Sequence, residues 1–238
     1  MARVEYKLDD KVALVTLNSG ENRFNPDFIN DYLEVLDRIE KDTEALSMVV
    51  TSGHEKIFSN GIDLDWLLPF IQQKNVAVSK EFFYLLNKLF RRTLTYPLIT
   101  IAAMNGHAFA GGAIWACSFD FRFMRSDRGF FCFPEADLGI PFLPGMISLL
   151  RKAIPNQMME EMVYTGIRLT AEQCVAHHIV KDAWHNDQLL DNTMAYARNL
   201  KTSRAYTKEM RHRMNKHILR DLDIEDISYI ESERFNVG

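Results

Sequence analysis

The segment that decides the fold is residues 98–124, LITIAAMNGHAFAGGAIWACSFDFRFM. Its apolar start, 98–102, predicts a buried strand, and a glycine-rich turn then leads into a helix predicted over 113–118. A second strand is predicted over 119–124. Because a strand, a helix and another strand in this order form a parallel crossover, the segment indicates an α/β fold.

Charged residues are absent from 96–117, yet this stretch does not predict a membrane span. Asn105, His107 and the pair Gly111-Gly112 interrupt it. Such clustering is typical of a buried strand, a tight turn and a buried helix. We therefore expect no membrane-spanning segment.

The same pattern extends on either side of this segment. Towards the N-terminus we predict two alternating strands, a helix started by Asn25 and Pro26, a buried strand and a second helix, over 4–8, 12–17, 27–42, 48–51 and 78–89. Towards the C-terminus we predict mainly helices, over 157–164, 171–177, 189–200 and 207–219, and one extended segment at 179–184. We predict one α/β core over 1–184, followed by a helical segment over 185–238.

The composition is that of a globular protein. The 238 residues are 47% hydrophobic, which excludes a disordered chain, and the net charge of -4 argues against broad nucleic-acid binding. Cys117, Cys132 and Cys174 have neither metal-type nor disulfide spacing, so we expect reduced, buried thiols. Because the first ten residues are polar and the last four are not a peroxisomal signal, we expect a cytoplasmic protein.

Two glycine-containing turns carry potential binding chemistry. Gly61, among small polar residues in 58–64, allows the backbone to come close to a ligand. Gly111 and Gly112 precede an uncharged helix, whose first N–H groups are a site for negative charge. In isolation, each turn is also explained by ordinary packing.

The third segment with potential chemistry is 130–141, FFCFPEADLGIP. Glu135 follows an aromatic run, and burial could make its carboxylate a useful base. Asp137 is two residues further on and would share that side if the segment were extended. Among the histidines, His107 is expected to be a hydrogen-bonded structural residue. The adjacent pair His177-His178 is not expected to bind a metal, because neighbours on a helix point apart.

Taken together and in this order, these segments resemble the crotonase superfamily, the enoyl-CoA hydratase/isomerase family. The segments that carry the resemblance are 53–64, 105–113, Asp120 with Arg122, 133–144 and 169–180. Their order is specific, although each segment is short. The resemblance implies the crotonase (ClpP/crotonase-like) fold, a stacked ββα superhelix with a helical C-terminal part.

The resemblance also implies how a substrate would be held. Members of the family bind the thioester carbonyl with two backbone N–H groups, which fall on Ile62 and Gly111 in this sequence. One such donor typically contributes about 2.7–4 kcal/mol to lowering the barrier. Arg23 or Lys56 would lie near the phosphates of the CoA arm. The other residues expected to contact substrate are Asn60, Gly61, Asp63, Leu64, Ile114 and Leu143.

Glu135 matches the glutamate that transfers protons in the family. Hydratases of the family use a second glutamate, which is replaced here by Ile114, and dienoyl-CoA isomerases add an aspartate, which is replaced by Leu143. We therefore predict a Δ3,Δ2-enoyl-CoA isomerase of fatty-acid β-oxidation that works with one glutamate. The alternatives are a hydratase-type enzyme with weak or different acyl-CoA activity, and a non-catalytic module that binds acyl-CoA or RNA.

The expected partners follow from the same resemblance. No metal and no cofactor are expected, since CoA is part of the substrate. The segment 185–238 is expected to form a homotrimer or a hexamer. RNA binding is disfavoured because the helix over 27–42 carries more acidic than basic side chains, and it would repel phosphates.

Overall fold

A six-stranded sheet runs through the molecule. The computed structural model describes residues 2–234, apart from the Leu138 side chain. In spatial order the strands of this sheet are β1 (Val4–Asp9), β2 (Val12–Leu17), β4 (Ser47–Ser52), β7 (Ile99–Met104), β9 (Phe121–Arg125) and β11 (Asp182–Trp184). The β1–β2 hairpin is antiparallel and the other neighbours are parallel, as the order of predicted elements requires.

Two smaller sheets are stacked beside the large one. A three-stranded parallel sheet consists of β5 (Ile57–Ser59), β8 (His107–Phe109) and β10 (Phe131–Cys132), with β8 in the middle. A two-stranded sheet pairs β3 (Arg23–Phe24) with β6 (Gly61–Ile62). Each of the strands β4, β7 and β9 is followed along the chain by a strand of the three-stranded sheet. This repetition is the predicted ββα superhelix.

Helices pack around the three sheets and against one another. In the first part of the chain these are α1 (Pro26–Asp42), α2 (Leu64–Gln72), α3 (Val76–Thr95), α4 (Gly111–Ser118) and the short α5 (Glu135–Leu138). The following ones are α6 (Pro144–Ala153), α7 (Asn156–Thr165) and α8 (Ala171–Ala176). After β11 come α9 (Asn186–Arg198), α10 (Arg204–Met214), α11 (Lys216–Arg220), a π-helical turn (Asp221–Glu225) and α12 (Asp226–Glu231).

The start of α1 follows from its sequence. The Asn25 side chain accepts a hydrogen bond from the N–H of Phe28 at 3.0 Å, and Pro26 occupies the first helical position, where its missing N–H costs nothing. The apolar face of α1 is buried, which accounts for its predicted helical spacing.

The central strands are buried on both faces, as is typical of parallel sheets. Every residue of β4 is buried, and its side chains alternate between two cores. Met48 and Val50 belong to the larger core, whereas Val49 packs with Ile101 in a smaller core that α9 covers. The helical segment that begins with α9 is therefore part of the packing of the sheet.

Some predicted boundaries were wrong. The single helix expected over 207–219 is two helices, α10 and α11, which meet at Asn215. The helix α2 was not predicted, although Asp63 caps it by accepting a hydrogen bond from the N–H of Trp66. Residues 235–238, which belong to the predicted C-terminal segment, lie outside the described residues. Within 2–234, none of the helices has the length and apolar character that a membrane span requires.

Candidate active site

The three strands of the smaller parallel sheet end at one place. β5 leads into Asn60, β8 leads into Ala110 and Gly111, and β10 leads through Pro134 to Glu135. Since parallel strands of a sheet all end at the same edge, their loops meet there. All five of these residues line one cavity.

The first two loops touch each other through their backbones. Gly61 has φ +74°, and a Cβ at this position would lie 2.5 Å from the amide nitrogen of Gly111. Only glycine therefore fits there. A Cβ at Gly111 would in turn lie 3.4 Å from the amide nitrogen of Ile62. The amides of Ile62 and Gly111 are thus close neighbours at the edge of the cavity.

Ala110 determines the direction of the Gly111 amide. It has φ 51° and ψ -131°, a conformation that residues with a Cβ rarely adopt. Gly111 is the first residue of α4, so its N–H has no acceptor within the helix. The strained residue and the helix start together leave a polarised donor beside the cavity.

Glu135 lies at the buried end of the cavity and is 8% exposed. Burial raises the pKa of its carboxyl to about 7, and a hydrogen bond from its own backbone N–H lowers the pKa by a smaller amount. Its Oε2 atom is buried and has no hydrogen-bond partner among the described residues. One carboxylate oxygen is therefore not engaged by any of the described protein groups.

Asp137 does not share the side of Glu135, because the segment is not extended. The segment forms the helical turn α5 instead of a strand, and residues two apart on a helix point in different directions. Asp137 is exposed, and it is not part of the cavity wall. Glu135 is consequently the only carboxylate of this segment at the cavity.

The cavity has a volume of about 650 Å³ and is mostly apolar. Such a volume is in the range of small-molecule sites. Leu64, Leu67, Leu68 and Ile71 of α2 form one side of it. The remaining lining residues are Arg23, Asn60, Ile62, Asp65, Phe83, Phe109, Ala110, Gly111, Ile114, Pro134, Glu135, Ile140, Pro141, Phe142, Leu143 and Met146.

Most of the residues predicted to form the site line this cavity. They are Asn60, Ile62, Leu64, Gly111, Ile114, Glu135 and Leu143. Gly61 and Asp63 are not part of the cavity wall. Both residues instead help to fix the conformation of the main chain beside it. Gly61 permits the contact with Gly111, and Asp63 caps α2 and accepts a hydrogen bond from Asn25 at 3.0 Å.

The sequence model of the enoyl-CoA hydratase/isomerase family matches residues 7–235. The chain belongs to this family. Enoyl-CoA delta isomerase 3 of Arabidopsis thaliana is 35% identical over 185 residues, which are 76% of this chain and 76% of the relative. A short-chain-enoyl-CoA hydratase of Clostridium acetobutylicum is 27% identical over 230 residues, which are 95% of this chain and 85% of the relative.

A solved structure agrees with the family assignment. An enoyl-CoA hydratase/isomerase family protein from Pseudomonas syringae is 26% identical and superimposes with a TM-score of 0.86, covering 96% of this chain and 97% of that chain. The fold is therefore the crotonase fold, and the protein is an enzyme of the enoyl-CoA hydratase/isomerase family. Because the relatives include isomerases and hydratases, the family alone does not decide between the two reactions.

Of the two basic residues expected near a CoA arm, one lies at the cavity of this family member. Arg23 lines the opening and forms ion pairs with Glu21 at 2.6 Å and with Asp65 at 2.7 Å. Lys56 is exposed and is not part of the cavity wall. Arg23 is thus the basic side chain that the structure brings to the site.

The Asp-X-Arg segment that resembles the family has a structural role here. Arg122 is buried and donates hydrogen bonds to the carbonyls of Ile179 at 2.7 Å and Phe119 at 3.0 Å. The Asp120 carboxylate accepts from the N–H of Thr100 at 2.8 Å. These bonds join β9 to β7 and to the chain before β11, and they do not reach the cavity.

The histidines and cysteines also have the places expected for structural residues. The Nδ1 atom of His107 accepts a hydrogen bond from the N–H of Phe130 at 3.3 Å, and burial lowers the pKa of this histidine. His177 and His178 are exposed, and the described residues contain no cluster suited to a metal ion. All three cysteines are buried free thiols.

The helix α2 is the part of the site that the sequence analysis missed. Its cavity-lining residues recur at positions i, i+3, i+4 and i+7 from Leu64, which is a helical pattern. Pro69 lies inside the helix and obscures this pattern, because proline normally ends a helix. The spacing together with the Asp63 cap could have revealed it.

Proposed function

We propose that this enzyme is a Δ3,Δ2-enoyl-CoA isomerase, in which Glu135 alone transfers the proton. The substrate would be a 3-enoyl-CoA thioester, and the product the 2-enoyl-CoA. The similarity to the isomerases of Arabidopsis thaliana supports this choice. The acyl-CoA supplies its own CoA, and the proposal requires no further cofactor.

The observation that carries the proposal is the isolation of Glu135 at the buried end of the cavity. Among the residues that the structure describes, three charged ones line the cavity, Arg23, Asp65 and Glu135. The first two are paired with each other at the opening. Ile114, which occupies the position of the second glutamate of hydratases, has no proton to exchange. One buried carboxylate suits a proton shuttle better than the addition of water.

The thioester oxygen would accept hydrogen bonds from the N–H groups of Ile62 and Gly111. These donors strengthen as negative charge develops on the oxygen, so they stabilise the enolate more than the neutral thioester. The contact between Gly61 and Gly111 brings these two amides close together, which supports this role. The fixed backbone requires little reorganisation when the charge appears.

Glu135 would act first as a base and then as an acid. Its carboxylate removes a proton from C2, and the electron pair of that C–H bond forms the dienolate, with its charge on the thioester oxygen. The protonated carboxyl then returns the same proton to C4, and the double bond becomes C2=C3. Substrate and product differ only in the position of one proton and one double bond, so the carboxylate is regenerated.

The variant Glu135→Gln tests the proposal because it keeps the shape of the side chain and removes its base. We expect isomerisation of a 3-enoyl-CoA to fall by roughly 10²–10⁴-fold, which is the usual contribution of a general base. Turnover is followed by the formation of the conjugated 2-enoyl thioester. The variant Asp137→Asn, which changes the exposed acid of the same segment, serves as the control. Equal turnover by Glu135→Gln and the parent protein would contradict the proposal.

Hydration is the second candidate function, and the similarity to the Clostridium acetobutylicum hydratase favours it. Purified protein offered a 2-enoyl-CoA distinguishes the two. Rapid formation of the 3-hydroxyacyl-CoA without any shift of a 3-enoyl double bond would exclude the isomerase proposal. If neither substrate is converted, a non-catalytic acyl-CoA-binding role is the remaining explanation.

A further inference from the structure

The cation at the opening of the cavity faces several carboxylates. The guanidinium of Arg23 lies 2.6 Å from Glu21, 2.7 Å from Asp65 and 4.0 Å from Asp63, measured between the nearest nitrogen and oxygen atoms. Arg23 and Asp65 both line the cavity. One positive charge is thus surrounded by three negative side chains, and a ligand phosphate that approaches Arg23 meets their repulsion.

Glu21 fixes the orientation of the guanidinium. Its Oε2 atom accepts a hydrogen bond from Nε of Arg23 at 2.7 Å and lies 2.6 Å from Nη2. The same oxygen accepts from Nδ2 of Asn60 at 3.1 Å. The hydrogen bonds from Arg23 and Asn60 hold the pKa of the Glu21 carboxyl below its usual value. Nε and Nη2 are therefore committed to Glu21, and Nη1 is the nitrogen left for other partners.

Asp63 is committed to the start of α2. Its Oδ1 atom caps the helix by accepting from the N–H of Trp66 at 3.3 Å, and its Oδ2 atom accepts from Nδ2 of Asn25 at 3.0 Å. The separation of 4.0 Å between Oδ1 and Nη1 of Arg23 is too long for a hydrogen bond. Asp63 therefore holds the helix and contributes only its charge to Arg23.

Asp65 has no such second task. Its Oδ2 atom accepts a hydrogen bond from Nη1 of Arg23 at 2.7 Å, and its side chain is 87% exposed. Among the described residues, Arg23 is the one side-chain partner of this carboxylate. Exposed ion pairs are weak, because water and salt compete for both charges. Another anion can therefore replace Asp65 without disturbing the bonds that Glu21 and Asp63 make.

The substrate of the proposed reaction carries such an anion. Glu135 lies at the buried end of the cavity, and the amides of Ile62 and Gly111 would hold the thioester inside it. The rest of the CoA arm, with its phosphates, must then leave through the opening, where Arg23 lies. Arginine binds phosphate through strong charge-assisted hydrogen bonds, and its free donor for this purpose is the Nη1 atom that Asp65 occupies.

We propose that Asp65 is a specificity-determining residue that occupies the phosphate site of Arg23 in the empty enzyme and is displaced when acyl-CoA binds. Asp65 then weakens the binding of thioesters that carry the CoA phosphates and has little effect on the same thioesters without phosphate. It also takes Arg23 back when the product leaves. The inference rests on the proposed function in its choice of acyl-CoA as the ligand, and it involves no step of the isomerisation.

The variant Asp65→Asn tests the proposal, because it keeps the shape of the side chain and removes its charge. The ligands are octanoyl-CoA and octanoyl-pantetheine, which are saturated and cannot be isomerised, and titration calorimetry gives their Kd. We expect the Kd for octanoyl-CoA to fall about fivefold, which corresponds to the loss of one exposed ion pair at the upper end of its usual range. The Kd for octanoyl-pantetheine should change by less than about twofold.

A matched control is Asp27→Asn, which makes the same change of charge outside the cavity wall. Asp27 is 71% exposed and pairs at 3.0 Å with Arg3, which Asp31 also holds. This variant should leave both values of Kd unchanged. The variant Arg23→Gln should weaken the binding of octanoyl-CoA, and in its presence Asp65→Asn should lose most of its effect, because the two residues act on the same phosphate.

Three results would overturn the inference. They are an unchanged or higher Kd for octanoyl-CoA in Asp65→Asn, an equal gain in affinity for octanoyl-pantetheine, and the absence of octanoyl-CoA binding to the parent protein. Isomerase activity is measured separately with a 3-enoyl-CoA. A protein that binds the two octanoyl ligands as expected and yet does not isomerise would support the role of Asp65 and contradict the proposed function.

Discussion

Burial gives the Glu135 carboxyl its two useful properties at the residue scale. It raises the pKa to about 7, so the carboxylate binds a proton more strongly than an ordinary glutamate. It also leaves Oε2 without a hydrogen-bond partner among the described residues, so none of them competes for this oxygen. A base with a pKa near the working pH can both take up a proton and return it.

This pKa predicts how the reaction depends on pH. The active form of free Glu135 is the carboxylate, so kcat/KM should fall as the pH decreases through about 7, by a factor approaching ten per pH unit well below it. The measurement is the initial rate of isomerisation at low substrate concentration over a series of buffers. A profile that stays flat down to about pH 5, near the pKa of an ordinary glutamate, would contradict the assigned role.

Residues differ in how far the sequence reveals them. The place of Glu135, Ile62 and Gly111 at the cavity could be predicted, because their segments are similar to those of a known family and follow one another in the same order along the chain. Asp137 could not be placed, because nothing in four residues distinguishes a helical turn from a strand. Asp226, at the start of α12, gave no signal at all, since the hydrogen bond that it accepts from the N–H of Gly145 depends on how closely α12 approaches α6.

At the scale of elements, α2 provides a continuous apolar side of the cavity. Its lining residues run from Leu64 to Ile71, which is about 10 Å along the helix axis. An extended alkyl chain advances about 1.25 Å per carbon, given the length of a C–C bond, so about eight carbons fit along this surface. We therefore expect medium-chain acyl groups to be accepted.

The variant Leu67→Trp tests this expectation, because Leu67 is buried and a larger side chain would fill the space beside α2. We expect kcat/KM for a 3-enoyl-CoA of about ten carbons to fall at least about tenfold, with a much smaller change for a six-carbon substrate. The control is Leu67→Met, which conserves volume. Equal losses for both chain lengths would show that α2 does not contact the acyl chain.

The length of an element decides whether the sequence predicts it. The strands β4, β7 and β9 and the helix α1 have several buried residues each, so their periodicity is visible. The strands β6 and β10 have two residues each, which is too few for an alternating pattern. Such short strands form because neighbouring strands and helices pair with them and pack against them. These contacts come from distant parts of the chain, so the local sequence does not reveal them.

At the scale of the whole molecule, Arg211 connects the C-terminal helices to the large sheet. It lies on α10 and is almost completely buried. Its guanidinium forms an ion pair with Asp120 at 2.8 Å and donates hydrogen bonds to Leu98 and Thr100 at 3.1 and 2.6 Å. It also donates to the carbonyl of Tyr96. This side chain is therefore one of the anchors of α10 on the core, together with Arg204, which donates to the carbonyls of Ala45, Glu40 and Thr43.

The variant Arg211→Met should destabilise the protein strongly. Removing the cation leaves Asp120 without its buried ion-pair partner, and the loss of one partner of such a pair typically costs about 3–5 kcal/mol. The free energy of unfolding in urea measures the effect. Arg213→Met on the same helix removes only an exposed pair with Glu209, and should change stability little. Similar losses in the two variants would mean that Arg211 is not an anchor.

The assembly of the protein stays a prediction. A homotrimer or hexamer formed through 185–238 is what the family resemblance implies. The C-terminal helices expose the apolar side chains of Met214, Ile224 and Ile227 to solvent. Contact with other copies of the chain would remove these side chains from water, so we propose that they take part in the interface.

The arrangement of the three-stranded sheet also matters for how such an enzyme changes over time. The neighbouring amides, the strained Ala110 and the acid Glu135 are carried by loops after three different strands, and Ile114 lies one helical turn further on. A substitution at Ile114 or Glu135 therefore leaves the contact between Gly61 and Gly111 intact. In the proposed isomerase, the amides that hold the thioester could be inherited unchanged while the group that faces the reacting carbon is replaced, so a new reaction would be only a few mutations away.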